Sequence, residues 1–201
     1  MDTIKEPAKI NFLLEQVQPG DFFVDAGACE GYFTFPIAKL VEHGQVLAFE
    51  PNEVNYLRLV SEVTRLKLEN VHVSNCALSN HTGHGDLYIG MAKYLHSLKP
   101  NLMGRLEAAQ RVTLARLDGY MGAAYDKWRV DGLKIDVEGA EIEVLQGAVK
   151  TLESVRYLAM DVHPTLGVDV DEVAKLITAS GLTIITRPWQ QNEIFAVRED
   201  E

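Results

Sequence analysis

The stretch that most constrains this chain runs from Phe22 to Gly31: Phe-Phe-Val-Asp-Ala-Gly-Ala-Cys-Glu-Gly. Three apolar residues lead into Asp25, and Gly27 and Gly31 bracket a short polar turn. Phe33, Ile37, Leu40 and Val41 then recur at three- and four-residue spacing, the period of a helix. The predicted unit is strand, tight loop, helix. Gly27 permits a sharp backbone turn, and Gly31 permits close approach of a ligand or of the helix start. Pro36 falls near the start of that helix, where a missing N–H costs little. Open α/β sheets bind nucleotide-like ligands at loops of this kind.

The chemistry of the loop narrows the ligand. It lacks the Gly-Lys-Ser/Thr of a triphosphate loop. The spacing Gly27, Cys29, Gly31 also misses the dinucleotide pattern G-x-G-x-x-G. Asp25 and Glu30 would repel a pyrophosphate, whereas they suit a ligand with a cationic end. One βαβ unit later, Glu50 closes the apolar strand Val46–Phe49, and Pro51 keeps it out of the α region. A carboxylate there can accept hydrogen bonds from both hydroxyls of a ribose. A cation at one end and a ribose at the other describe S-adenosylmethionine. The expected cofactor-binding residues are Asp25, Gly27, Ala28, Gly31, Glu50, Pro51 and Asn52. Asn75, Cys76 and Ala77 join them where the third strand ends and an adenine could lie, and Asp136 joins from the second half.

The rest of the chain extends the α/β pattern. Residues 3–17 read as a helix with Ile10, Leu13, Leu14 and Val17 on one face, ended by Pro19-Gly20. Glu53 to Lys67 read as a helix with Val54, Leu57, Val60 and Val63 inward, and Val71 to Asn75 as the third strand. Residues 79–116 break the rhythm as an insertion. Asp86–Ile89 is expected to pair with Arg111–Arg116, and the intervening loop, with Tyr94 to Ser97, reads as a lid on the substrate side. A short helix near Leu117 to Ala124 follows, then a strand from Gly132 to Asp136. Ala140 to Leu152 reads as a helix with Ile142, Leu145, Ala148 and Val149 inward, and Val155 to Val162 as the next strand. Asp169 should cap a helix through Ser180, with Gly181 just beyond it. Leu182–Arg187 and Glu193–Val197 should form an antiparallel pair. The expected fold is a doubly wound α/β domain over residues 1–201. Its mostly parallel seven-stranded sheet carries helices on both faces, an antiparallel terminal hairpin strand and a small inserted hairpin.

Composition limits the partners. The 201 residues carry a formal net charge of -10, which argues against a nucleic-acid groove. Two cysteines make no disulfide framework, and reduced thiols suit the cytoplasm. The N-terminus lacks the basic and apolar regions of a signal peptide, and no apolar run reaches the ~18 residues of a membrane span. Oligomeric state is not readable; a homodimer stays open.

Three blocks carry a family resemblance: Val24 to Gly31, Phe49-Glu50-Pro51-Asn52, and Leu133-Lys-Ile-Asp-Val-Glu-Gly-Ala-Glu141. With Gly147-Ala148 they resemble the FkbM family of S-adenosylmethionine-dependent methyltransferases. The resemblance implies the class I methyltransferase fold and O-methylation of hydroxyls on sugars or small natural products. One position departs from the pattern, with Cys29 where that family usually has asparagine. No Asn-Pro-Pro-Tyr block of base-methylating enzymes occurs.

Methyl transfer needs an aligned nucleophile and a dry site, and a hydroxyl also needs its proton removed. Lys134 and Asp136 alternate onto one face of their strand, and Asp161 and His163 do the same on the next. The catalytic candidates are Asp136, His163 and Lys134. His163 is favoured as base by its pKa range and Asp136 by its position at the strand end. The alternative for Lys134, Asp136 and Asp161 is a buried ion-pair network, and for Glu138 a partner of backbone N–H groups at a helix start. Asp136, Asp161 and His163 also have the ligand types of a magnesium site, but the spacing carries no metal signature and none is expected. Methylation of a small amine or of RNA, and a non-catalytic cofactor-binding module, are the other readings.

Overall fold

The computed structural model describes residues 7–90, 96–100, 108–125, 129–186 and 192–199. The start of the first expected helix, Tyr94 and Leu95 of the lid, and Arg187 to Gln191 before the last strand lie outside the described residues.

Helix α1 (Pro7–Gln16) leads into strand β1 (Phe22–Ala26), helix α2 (Thr34–Leu40), β2 (Gln45–Phe49), α3 (Glu53–Leu66) and β3 (Val71–Ser74). The insertion supplies β4 (Ala77–Leu78), β5 (Gly83–Ile89), β6 (His96–Ser97) and β7 (Ala108–Ala115). Then come α4 (Leu117–Ala124), β8 (Gly132–Ile135), α5 (Glu141–Gly147), α6 (Val149–Leu152) and β9 (Tyr157–Asp161). A 3-10 turn (Pro164–Leu166), α7 (Val170–Ala179), β10 (Thr183–Ile184) and β11 (Glu193–Val197) complete the order. The seven-stranded sheet runs β10-β11-β9-β8-β1-β2-β3. β1, β2, β3, β8 and β9 are parallel neighbours, and β11 lies antiparallel to both β9 and β10. The class I fold expected from the sequence is the fold observed.

Strand β1 is buried along its whole length, and its side chains divide by alternation. Phe22, Val24 and Ala26 join the core under α4, α5, α6 and α7, while Phe23 joins the core under α1 and α2. Asp25 shares the Phe23 face. In register it neighbours Lys134 of β8, so two charges meet inside the sheet layer beneath α2.

The inserted segment is more than a hairpin. β5 pairs antiparallel with β7 as expected, but Asp86–Ile89 lie opposite Ala108–Arg111, and Arg111–Leu114 lie opposite Gly83–Asp86, so the expected partner strand begins earlier in the chain. β4 and β6 add to give a four-stranded sheet, β4-β7-β5-β6. Ala77, placed by the sequence where the third strand ends, belongs with Leu78 to this second sheet.

Three helical faces differ from expectation. In α3 the buried residues are Asn55 and Leu59, while Val54 and Leu57 are over half exposed. The Asn52 side chain caps this helix at the Asn55 N–H, and its polar first turn faces the crevice above the sheet. In α1 a lysine, Lys9, is buried beside Ile10, Phe12 and Leu13, whereas Leu14 is exposed. The helix expected from Ala140 to Leu152 breaks at Ala148 into α5 and α6, and Val149 points outward. The break follows Gly147, whose backbone packs so closely on the Ser79 carbonyl that a Cβ would overlap it. Glu141, in turn, is buried.

Candidate active site

A cavity of about 980 Å³ opens above the carboxyl ends of β1, β2, β8 and β9. Open parallel sheets bind ligands at this crevice, since the loops diverge there. Phe49, Cys76, Ala77, Leu78 and Leu87 give it an apolar wall. Glu30, Glu50, Asp136, Glu138 and Asp161 give it an acidic one. His96 and Leu98 reach it from the inserted segment, at and just beyond β6.

The loop after β1 is fixed by close backbone packing. Gly27 has φ +80°, and a Cβ there would overlap the Asp136 carbonyl oxygen of the neighbouring strand end. Cys29 adopts φ +50°, a left-handed conformation in which asparagine is favoured over other non-glycine residues. Glu50 holds this turn. One carboxylate oxygen accepts the Cys29 N–H and the other the Asn52 N–H, each at 2.8 Å. Each oxygen keeps a second lone pair for a ligand hydroxyl. The side chain is only 5% exposed, and burial pushes its carboxyl up to about 7 against the two backbone hydrogen bonds. Burial, and then the Glu50 charge, raise the Cys29 thiol to about 11, so it stays protonated.

Gly27, Ala28, Glu50, Pro51, Cys76, Ala77 and Asp136 line the cavity. Four other residues expected to bind the cofactor lie behind its wall. Asp25 is fully buried, accepting from the Thr34 hydroxyl at 2.7 Å and pairing with Lys134 at 3.1 Å. Its place on the inner face of β1, set by strand alternation, turns it from the loop toward α2. Gly31 packs under Phe35 and Leu59. Asn52 is spent on capping α3. Asn75 donates to the carbonyls of Glu50 and Pro51, bracing the acidic residue from outside.

The second wall is assembled from distant segments. Lys134 is almost wholly buried and donates to the carbonyls of Ala26 at 3.3 Å and Gly27 at 2.7 Å as well as pairing with Asp25. Burial would depress its ammonium, but Asp25 and Asp136 outweigh that and raise it. Lys9, fully buried on α1, bonds Asp161 and lies 3.5 Å from Asp136. Burial alone would raise the Asp136 carboxyl; Lys134, Lys9 and His163 prevail and hold it below the usual range. Of the four residues that strand alternation groups, Lys134, Asp136, Asp161 and His163, Lys134 is neutralised by Asp25, whereas Asp136 and Asp161 meet Lys9, from a helix about 125 residues upstream of β8.

His163 stands between two glutamates. Its Nδ1 is 2.7 Å from Glu141 and its Nε2 3.4 Å from Glu138. Burial opposes the imidazolium, yet the Glu141 hydrogen bond and the charges of Glu141, Glu138 and Asp136 raise it to about 9. Glu138 is pushed to about 7, first by burial, against the pull of His163 and with the push of Asp136, Glu141 and Asp161. It has φ +51° and precedes Gly139 at φ +104°, so two left-handed residues turn the chain over the cavity. The Ser97 hydroxyl of β6 bonds the Glu138 carbonyl and ties the small sheet to this turn. Glu138 thus lines the cavity, where the alternative reading from sequence made it a partner of N–H groups at a helix start. Lys9 and Glu141 carried no sequence signal beyond a lysine on an apolar helix and an acid ending a motif.

Ligand-type atoms of Asp136, Glu138 and His163 lie within 4.8 Å of one another. Asp161, grouped with Asp136 and His163 from the sequence, is held by Lys9 instead.

The donor set fits S-adenosylmethionine. Glu50 offers free lone pairs on one side, the apolar wall suits an adenine, and acidic groups face the space between. The methyltransferase FkbM domain family matches residues 25–181. The chain is 25% identical to the hexuronic acid methyltransferase AglP of Haloferax volcanii, over 94% of its own length and 74% of that protein's. It is 28% identical to Methyltransferase 1 of Beauveria bassiana, covering 63% of this chain and 57% of that one. In structure it resembles the FkbM methyltransferase of Methylobacillus flagellatus, with TM-score 0.62, 14% identity, and 94% of this chain but half of that one covered. A glycine-turned loop held by Glu50, a class I sheet and a family match over most of the chain converge: this chain belongs to the FkbM family of S-adenosylmethionine-dependent methyltransferases.

Proposed function

We propose that the chain transfers a methyl group from S-adenosylmethionine to a hydroxyl of a sugar or another small molecule. One observation carries the reading: the cavity joins a ribose-type acceptor, Glu50, to an imidazole at the opposite wall, His163. The sugar methyltransferase among the relatives supports a carbohydrate acceptor.

The bound cofactor supplies an activated methyl group on a positively charged sulfur. Glu50 would hold the ribose through its spare lone pairs, and Phe49, Cys76, Ala77 and Leu78 would cover the base. Asp136, kept ionised by its cationic neighbours, would face the positive centre and orient the acceptor hydroxyl. The same ionisation makes it a weak base, so the proton falls to His163 in its neutral form. Lys134 acts on the backbone, holding the carbonyls of Ala26 and Gly27 and so the shape of the first loop. Leu87, with His96 and Leu98 beyond it, covers the cavity from the inserted segment and excludes water.

The test is a cofactor-consumption screen of the full chain against neutral sugars, hexuronic acids, polyols and small phenols, with product mass as readout. A product heavier by one methyl group on oxygen is the expected result. Turnover confined to amines or RNA, or cofactor binding without any turnover, would overturn the reading.

A further inference from the structure

We propose that Glu141 is a positioning residue for methyl transfer: it grips Nδ1 of His163 so that Nε2, on the Glu138 side of the cavity, takes the proton of the acceptor. The inference rests on the reading above that His163 is the base.

The geometry argues for a purpose beyond stability. The Glu141 side chain is fully buried at the start of α5. Its Oε1 accepts the Gly139 N–H at 2.9 Å and faces His163 Nδ1 at 2.7 Å. Its Oε2 has no hydrogen-bond partner, and among the described residues His163 is its one ion-pair partner. A carboxylate so poorly compensated is costly to bury, and an apolar residue of similar volume would serve the fold at least as well. What the carboxylate adds is a fixed ring. An Nδ1–H donated to Glu141 leaves the Nε2 lone pair unprotonated in the neutral imidazole, the form a base requires.

The surrounding backbone is arranged to the same end. The left-handed pair Glu138 and Gly139 carries the chain around the imidazole, so that Glu138 meets Nε2 while the Gly139 N–H anchors the carboxylate on Nδ1. A side chain at 139 would press on Leu166 of the 3-10 turn that follows His163. In the step itself the acceptor oxygen bonds to the methyl carbon as the carbon–sulfur bond breaks, its electron pair going to sulfur. The acceptor proton moves to Nε2, and Glu141 balances the imidazolium that results.

The test uses the full chain with 15N-labelled histidine, first without ligands. A charge-assisted N–H···O⁻ bond of this length strongly deshields its proton. One deshielded Nδ1–H signal is expected, absent in H163Q and shifted upfield in E141Q. In turnover, E141Q and E141D, which withdraws the carboxylate by one methylene, should each lower kcat by ~10–100-fold. KM for cofactor and acceptor should stay within about twofold, because neither is held by Glu141. Should E141Q unfold, E141D and the wild-type signal still decide. Unchanged kcat in both variants, no deshielded proton in the wild type, or a kcat loss matched by rising KM and falling Tm would each overturn the proposal. If the signal responds to E141Q but the wild type methylates no acceptor, the reaction reading falls and takes Glu141's catalytic part with it, leaving only the hydrogen bond.

Discussion

The two walls of the cavity are built in opposite ways. On the Glu50 side the parts are close in sequence: Glu50 reaches back to Cys29 and forward to Asn52, and Asn75 braces it from the next strand end. On the His163 side the parts come from across the chain: Lys9 of α1, Ser97 of the inserted sheet, Glu138 and Glu141 after β8, and His163 after β9. The first wall is a backbone turn stapled by one carboxylate. The second is a charge cluster in which each group sets the protonation of the next. Local spacing can encode a binding loop, whereas an acid–base cluster depends on which elements pack together.

That contrast can be broken or sharpened by experiment. The largest expected effect is at the second wall. H163Q should lower kcat by roughly 10²–10⁴-fold while calorimetric affinity for S-adenosylmethionine holds; normal turnover would make His163 structural. Next, K9A should destabilise the fold by about 3 kcal/mol, because it strips the buried partner from Asp161 and Asp136. A thermal melt within a degree of wild type would show that the acids are neutralised some other way. E50A should weaken cofactor binding by roughly 10–100-fold, the loss of a charged acceptor, with little change in kcat at saturation. Unchanged affinity would remove the ribose role.

The fourth prediction concerns pH. The His163 pKa is raised from 6.5 to about 9, so its stabilising contribution is complete below 6.5 and is lost as pH rises through about 9. Stability should therefore fall over that window, by on the order of 1–3 kcal/mol, and H163Q should flatten the limb. Activity should move the other way and climb toward pH 9 as the imidazole becomes neutral. Glu50 and Glu138, raised from 4.5 to about 7, lose their stabilising contribution earlier, between those values. The smallest expected effect is that of a chelator, which should leave turnover unchanged. Loss of activity restored by magnesium would turn Asp136, Glu138 and His163 into a metal centre.

The outline of the site was legible in the sequence because strand–loop–helix units write it locally. Gly27 is singled out by the turn it permits, Glu50 and Asp136 by their places at strand ends and His163 by strand alternation and its pKa range, and all four line the cavity. Asp25 was misread because an acid beside a glycine turn suggests a ligand contact. Strand parity points it under α2 instead, where Lys134 and Thr34 absorb it. The helix face of α3 differs from expectation for a related reason, and α5 buries an acid beside its expected apolar residues Ile142 and Leu145. Hydrophobic spacing assumes that the apolar side is the buried one, and here Asn55 and Glu141 turn inward toward the cavity and its histidine.

By itself the sequence determined the class of fold, the crevice and the acidic residue that marks one end of it. These follow from alternation, from glycine at positive φ and from proline after a strand end, all of which act within a few residues. Only the tertiary structure decided which charges neutralise which. Coulomb and desolvation energies depend on distance and burial, not on separation along the chain, so the pairing of Lys9 with Asp161 and of Glu141 with His163 exists only once α1, α5 and β9 are packed together.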